Sequence, residues 1–353
     1  MRGAPKGVGS DDGAVLARSL TLTLRALCRP SEMHDIADRL AELDRLVDEI
    51  GDEALRREGA IHRAAEYARV GDLVGVDRCI AALDVAASSG SLIARRSREQ
   101  IQSYRALCVG DVVAAEAHAN AALADGRKAN FVGAELVWRA QMFNVASARG
   151  TNFTPDRTNQ EHAVEGSSMT SGIAALALAG RRKTADALAM LTAATDARMS
   201  DVRADYQWWD AMGIWAVVPM VLRLRGVGAE SLTAPAGVIE GLLLPFRGWF
   251  PTAQIDLLIP IDVDLGFCAL SAGRVDDAIA YFESGVALCE RTGVLYHGAH
   301  AKVMLGWALA EAHGRSARRR VLELVDAAEA WAAAHGTNHF MGRNFVARKL
   351  VSE

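Results

Sequence analysis

This chain of 353 residues carries few of the features that mark a catalyst, a secreted scaffold or a membrane protein. Its five cysteines, Cys28, Cys79, Cys108, Cys268 and Cys289, form no CxxC pair. Scattered in this way, they read as small hydrophobes in a reducing cytosol. Lysine and arginine (39) do not outnumber aspartate and glutamate (43), which leaves a net charge of −4 and no overall basic footprint for nucleic acid. The one basic run, Arg315 to Arg320, reads as a solvated helix start. No uncharged apolar stretch reaches the roughly 18 residues of a membrane span, and the N-terminus lacks the apolar run of a signal peptide. A cytoplasmic protein without membrane contact is therefore expected. Neither GxxxxGK[ST] nor HExxH occurs, so no phosphate loop, no zinc-protease helix and no cofactor is expected.

What is present is alanine and leucine. Hydrophobic residues make up 51% of the chain, with only 8 prolines and an aromatic share of 6%. Alanine at helix contacts lets backbones approach closely, as stacked hairpins require. The stretches ALCVGDVVAAEAHANAAL, ALAGRRKTADALAML and ALSAGRVDDAIAYFESGVAL each place a glycine, followed by Asp or Arg, between two helical patterns. Gly71, Gly110 and Gly150 are 39 and 40 residues apart, and Gly273 and Gly314 are 41 apart. Such a period, with two helices per unit, is the signature of a helical repeat. In a Gly-Asp step the glycine ends one helix and the aspartate caps the next, which makes a tight helical hairpin.

The expected organisation is a leader over residues 1–11, then one helical-repeat domain over 12–353 with an irregular middle at 151–265. Ile36, Leu40, Leu43 and Leu46 share one face of an early helix. Residues 151–167 are polar and aperiodic and read as a long loop. Between Gly150 and Gly273 the glycine interval fails, with steps of 30 to Gly180 and then 93. There, DVRADYQWWDAMGIWAVVPMVLRLRG holds three of the seven tryptophans and places Pro219 inside a helical pattern, where a kink near Val218 is expected.

The segment LSAGRVDDAIAYFESGVALCERTGVLYHGAHAKVMLGWALAEAHG, with its small-residue turn, acidic pair, aromatic and apolar heptad, resembles the C-terminal tetratricopeptide-type region of large bacterial signalling ATPases. Those proteins are commonly joined to a LuxR-type DNA-binding domain or an adenylate cyclase domain. AELDRLVDEIGDEALRREGAIHRAAEYARVGDLVGVDRCIAAL resembles the start of the same region, so the resemblance covers roughly residues 12 to 336. It implies an all-α, right-handed tetratricopeptide-like solenoid of antiparallel helix pairs, about seven or eight in number. It also implies a sensor or scaffold role that binds an inducer or a partner protein. ATPase activity and DNA binding do not carry over, because the phosphate loop and a basic recognition helix are missing.

Four groups of residues are candidates for a site. Tyr206, Trp208 and Trp215, with Trp209 and, farther on, Trp249 and Phe250, either line a concave surface for planar ligands or fill the core where the repeat breaks down. Asp256, Asp262 and Asp264 lie in the otherwise apolar IDLLIPIDVDLGF; either Asp262 or Asp264 caps the helix after Pro260, or the carboxylates line a polar ligand groove, or two of them form an acid–base dyad, which the divergence of i and i+2 side chains on a helix disfavours. His297 and His300, three apart, face solvent or a groove, and a metal would need a third ligand. Glu135, amid apolar residues, either points into the groove or pairs with Arg139 four residues on. The expected function is a non-catalytic binding module, regulatory or scaffold, that takes a protein segment or a small inducer in its concave groove. The competing reading is a small-molecule-binding protein or an enzyme with a pocket over 201–264, and a third is a homo-oligomer built through an exposed solenoid end.

Overall fold

The computed structural model describes residues 10–26, 36–51, 59–151, 168–202, 208–252, 259–337 and 341–352, and among them every regular element is helical. In chain order these are α1 (Ser10–Ala26), α2 (Ile36–Ile50), α3 (Ala60–Val70), α4 (Leu73–Ser88), α5 (Leu92–Val109), α6 (Val112–Lys128), α7 (Ala134–Arg149), α8 (Ser168–Gly180) and α9 (Thr184–Asp196). They continue as α10 (Trp208–Leu224), α11 (Ala229–Leu243), α12 (Ile261–Ser271), α13 (Val275–Thr292), α14 (Leu295–His313), α15 (Arg318–His335) and α16 (Met341–Leu350). Short 3-10 turns at Leu244–Phe246 and Gly314–Ala317 join the longer pieces. The first helix begins at Ser10, two residues inside the stretch read as leader, and Pro219 sits within the continuous α10. No described helix is long and apolar enough to cross a membrane.

The junctions explain why the chain folds into hairpins. Gly71 takes a left-handed φ of 76° and Gly110 one of 85°, which ends α3 and α5. The next residue starts the following helix at once: Asp72 accepts from the Gly75 amide and Asp111 from the Ala114 amide, both at 2.9 Å. At Gly180 the same device is shifted. Arg182, not the glycine, carries the left-handed φ of 61°, and Lys183 N–H closes the turn onto the Leu178 carbonyl at 2.9 Å. The glycine there is the last residue of α8.

Consecutive helices from α3 to α7 pack on one another, as do those from α8 to α15, with α16 folding back on α14. The two series then meet. Helix α5 lies against α14. One apolar core contains Ala64, Ala68, Ile101, Tyr104 and Cys108 from the first series together with Phe250, Leu288, Cys289 and Tyr296 from the second. Hydrogen bonds stitch the same seam: Phe250 N–H donates to the Arg69 carbonyl at 2.7 Å, and the Thr252 hydroxyl Oγ1 donates to the Ala65 carbonyl at 3.2 Å. In a simple solenoid each unit touches only its neighbours. Here residues more than 180 positions apart in sequence share a core.

Gly71 sits at that seam. A Cβ there would lie 2.4 Å from Thr292 Cγ2 and 3.0 Å from Phe250 Cε2. Gly71→Ala is therefore expected to cost about 2–4 kcal/mol, from left-handed strain plus the displaced seam. Gly90 has a φ of 92° but nothing within 4 Å of its Cβ position, so Gly90→Ala should cost only the strain, about 1–2 kcal/mol. Urea unfolding of the two variants separates the terms, and equal losses would show that the seam does not resist the methyl group.

Candidate functional site

The tryptophans of the middle segment form a packed core. Trp208, Trp209 and Trp215 are at most 7% exposed. Trp209 meets Trp208 edge-on at 4.8 Å and Phe246 at 5.0 Å, and the Arg69 guanidinium lies 5.5 Å over its ring. Trp249 is half-buried and tilted against Phe246 at 5.7 Å. Tyr206 and Asp256 lie outside the described residues. The structure thus assembles Trp208, Trp209 and Trp215 as part of a hydrophobic core at the point where α3 reaches α10.

The two aspartates at the start of α12 have different fates. Neither is its N-cap, since Pro260 occupies that position. Asp262 is fully buried; its Oδ2 accepts from the Gly248 amide at 2.7 Å, and its Oδ1 from Arg247 Nε at 3.3 Å. It fastens the turn before the helix rather than the helix itself. Asp264, 1% exposed, has an Oδ1 without a hydrogen-bond partner, and its Oδ2 lies against Gly213 of α10. One turn back along α10, Asp210 has a buried, unpartnered Oδ1, as do the Trp209 and Trp215 Nε1 atoms. Burial pushes the Asp264 carboxyl well above the usual carboxylate range and the Asp210 carboxyl up to about 7. Sequence reasoning passed over Asp210; its signal is a carboxylate in the first turn of a helix whose other positions are almost all apolar.

The remaining candidates separate. Glu135 is exposed and pairs with Arg127 of α6, Nε to Oε1 at 2.7 Å, rather than being served by Arg139 alone. The Arg127 guanidinium holds its carboxyl below the ordinary value. His297 and His300 are buried, not solvent-facing: His297 stands 4.9 Å from the Tyr296 ring and His300 6.0 Å from the Phe267 ring. Among the described residues no group of three His, Cys, Asp or Glu side chains is placed to hold a metal. The basic run serves the chain itself, since Arg318 donates to the Val351 carbonyl at 3.2 Å and Arg319 and Arg320 pair with Glu323.

A groove of about 360 Å³ runs over α5 between α4 and α6. Ile80, Ala106 and Val109 give it an apolar floor, and Gln102, Arg105 and His118 are its half-buried polar groups. Arg105 Nε donates to Asp77 Oδ1 at 3.0 Å, and His118 Nδ1 lies 2.6 Å from Glu99 Oε2, whose other oxygen is held by Arg98. Among the described residues the Gln102 side chain has no hydrogen-bond partner, and it lines the groove. Helix α5 supplies this set because its sequence RRSREQIQSYR is polar at most positions besides Ile101 and Tyr104, while both neighbours are alanine-rich. Its inward side needs partners and finds them: Arg96 reaches Gln100 Oε1 at 2.8 Å and lies 3.7 Å over the Phe131 ring, and Ser103 Oγ donates to the Ala115 carbonyl at 2.9 Å. Polarity in an interior repeat helix was the signal available in the sequence.

The sequence matches no protein-family model, and a search of curated proteins returns no match.

Proposed function

We propose that this chain is a non-catalytic binding module, with a tetratricopeptide-like right-handed superhelical arrangement of its hairpins, and that it recognises a protein segment in the groove over α5. The glycine period of 39 to 41 residues and the Gly-Asp hinges support the arrangement. The observation that carries the function is the contrast between the two regions: Trp208, Trp209 and Trp215 are buried in a core, while the groove joins an apolar floor to the half-buried Gln102 amide. A side-chain amide can accept and donate to the main chain of an extended peptide at once. Ile80, Ala106 and Val109 receive an apolar side chain, and exposed Asp77 and Asp111 favour a basic residue beside it. Regulation or scaffolding follows from such binding, as the resemblance to the repeat region of signalling ATPases implies.

Selection from a displayed random-peptide library is expected to return apolar-basic sequences with micromolar affinity, the range of about −8 kcal/mol. Ala106→Arg, which blocks the half-buried floor, should weaken the selected peptides by at least about tenfold without moving the urea midpoint. A selection that yields nothing, or peptides that bind Ala106→Arg as well as the parent, overturns the proposal.

A further inference from the structure

A second, smaller cavity of about 110 Å³ opens between α13, α14 and α15. Its wall is made by Cys289, Leu295, Ala299, Ala328 and Trp331, and its room comes from small residues: a Cβ on Gly298 would already stand 3.2 Å from the Cys289 Cβ. Glu290 and Lys302 line it as well, paired Oε1 to Nζ at 2.9 Å, both partly exposed. The Trp331 indole N–H is buried and has no hydrogen-bond partner, its ring being held by stacking on His335 at 4.3 Å. Burial keeps the Cys289 thiol protonated, so that wall is apolar and unreactive.

We propose that this cavity binds a free amino acid with a branched aliphatic side chain. An apolar hole beside one cation and one anion matches a zwitterion that carries an apolar group. The ligand carboxylate takes Lys302 and its ammonium takes Glu290, so the rim exchanges one ion pair for two. A simple carboxylate would leave Glu290 without a counter-ion, and a simple amine would do the same to Lys302. Size chooses the side chain: a dry cavity of roughly 150 Å³ admits benzene, and this one is smaller, which suits the branched alkyl groups of valine, leucine or isoleucine over an aromatic ring. The site lies apart from the groove over α5 and does not depend on a peptide binding there.

The test is calorimetric titration of the full chain with L-leucine, beside glycine, which lacks the apolar group, and 4-methylpentanoate, which lacks the ammonium. L-leucine should bind saturably and raise the melting midpoint; the two comparators should bind at least about tenfold more weakly. Lys302→Gln removes the cation and Ala327→Trp covers the exposed rim. Ala327 is exposed and the half-buried Lys302 keeps its aliphatic stem as glutamine, so the urea midpoint should hold while leucine affinity falls at least about tenfold. Absence of saturable heat up to about 10 mM leucine, glycine binding as tightly as leucine, or unchanged affinity in both variants overturns the site.

Discussion

Trp209→Ala is expected to destabilise the protein by about 3–5 kcal/mol, the cost of emptying a buried tryptophan site. The residue is 1% exposed and touches three groups that cannot follow a methyl side chain inward: Trp208 and Phe246, each edge-on to it, and Arg69 over its face. Arg69 is itself tied to Glu66 and to the Thr252 carbonyl. The loss therefore reaches the seam between the two helical series. Trp209→Phe should cost far less, about 1–2 kcal/mol, because it keeps the ring and deletes an indole N–H that has no partner. Urea unfolding followed by circular dichroism measures both, and similar losses for the two variants would show that the ring packing is not what Trp209 contributes. Trp215, 2% exposed, belongs to the same core, so Trp215→Ala reports on folding rather than on a ligand.

The second large effect is a gain. Asp264→Asn is expected to stabilise the protein at pH 8 and to change it little near pH 4. Asp264 is buried with one oxygen unpartnered, and burial raises its pKa far above the value it has in the unfolded chain. A carboxyl with a raised folded-state pKa binds its proton more tightly when folded. Its contribution is fully present below the unfolded value of about 4 and is lost as pH rises toward the folded value, at about 1.4 kcal/mol per pH unit. Asp210, raised to about 7, adds the same slope between pH 4 and 7. An asparagine in place of Asp264 has the same shape and cannot ionise, so the variant should lose stability less steeply than the parent as pH rises. Urea midpoints of parent and variant across pH 4 to 8 check this, and a difference that does not grow with pH would place Asp264 in a solvated site.

Both effects concern residues that the sequence marked without disclosing their setting. The break in glycine spacing pointed to Trp208, Trp215 and Asp264, and the structure does gather them in one region, as core. A tryptophan seven residues from another shares its helix face whether that face meets a ligand or a second helix, so periodicity alone could not separate the two outcomes. Asp262 shows the same limit: its spacing from Pro260 suggested a cap, but its carboxyl reaches back to the Gly248 amide in a turn formed only when α11 and α12 pack. The groove over α5 went unremarked because its residues come from three helices. Arg105 and Asp77 are 28 positions apart, and no local pattern joins them.

Helix existence, hairpin junctions and all-α class were determined by the sequence, because they follow from contacts between residues a few positions apart: apolar stripes, an aspartate cap, a glycine free to take a left-handed φ. The meeting of α5 with α14, the burial of His297 and His300, and the places where space remains were decided by tertiary structure. Those depend on which helix faces arrive opposite each other after the chain has turned many times, and on whether small residues such as Gly298 and Ala299 leave room there or larger ones fill it.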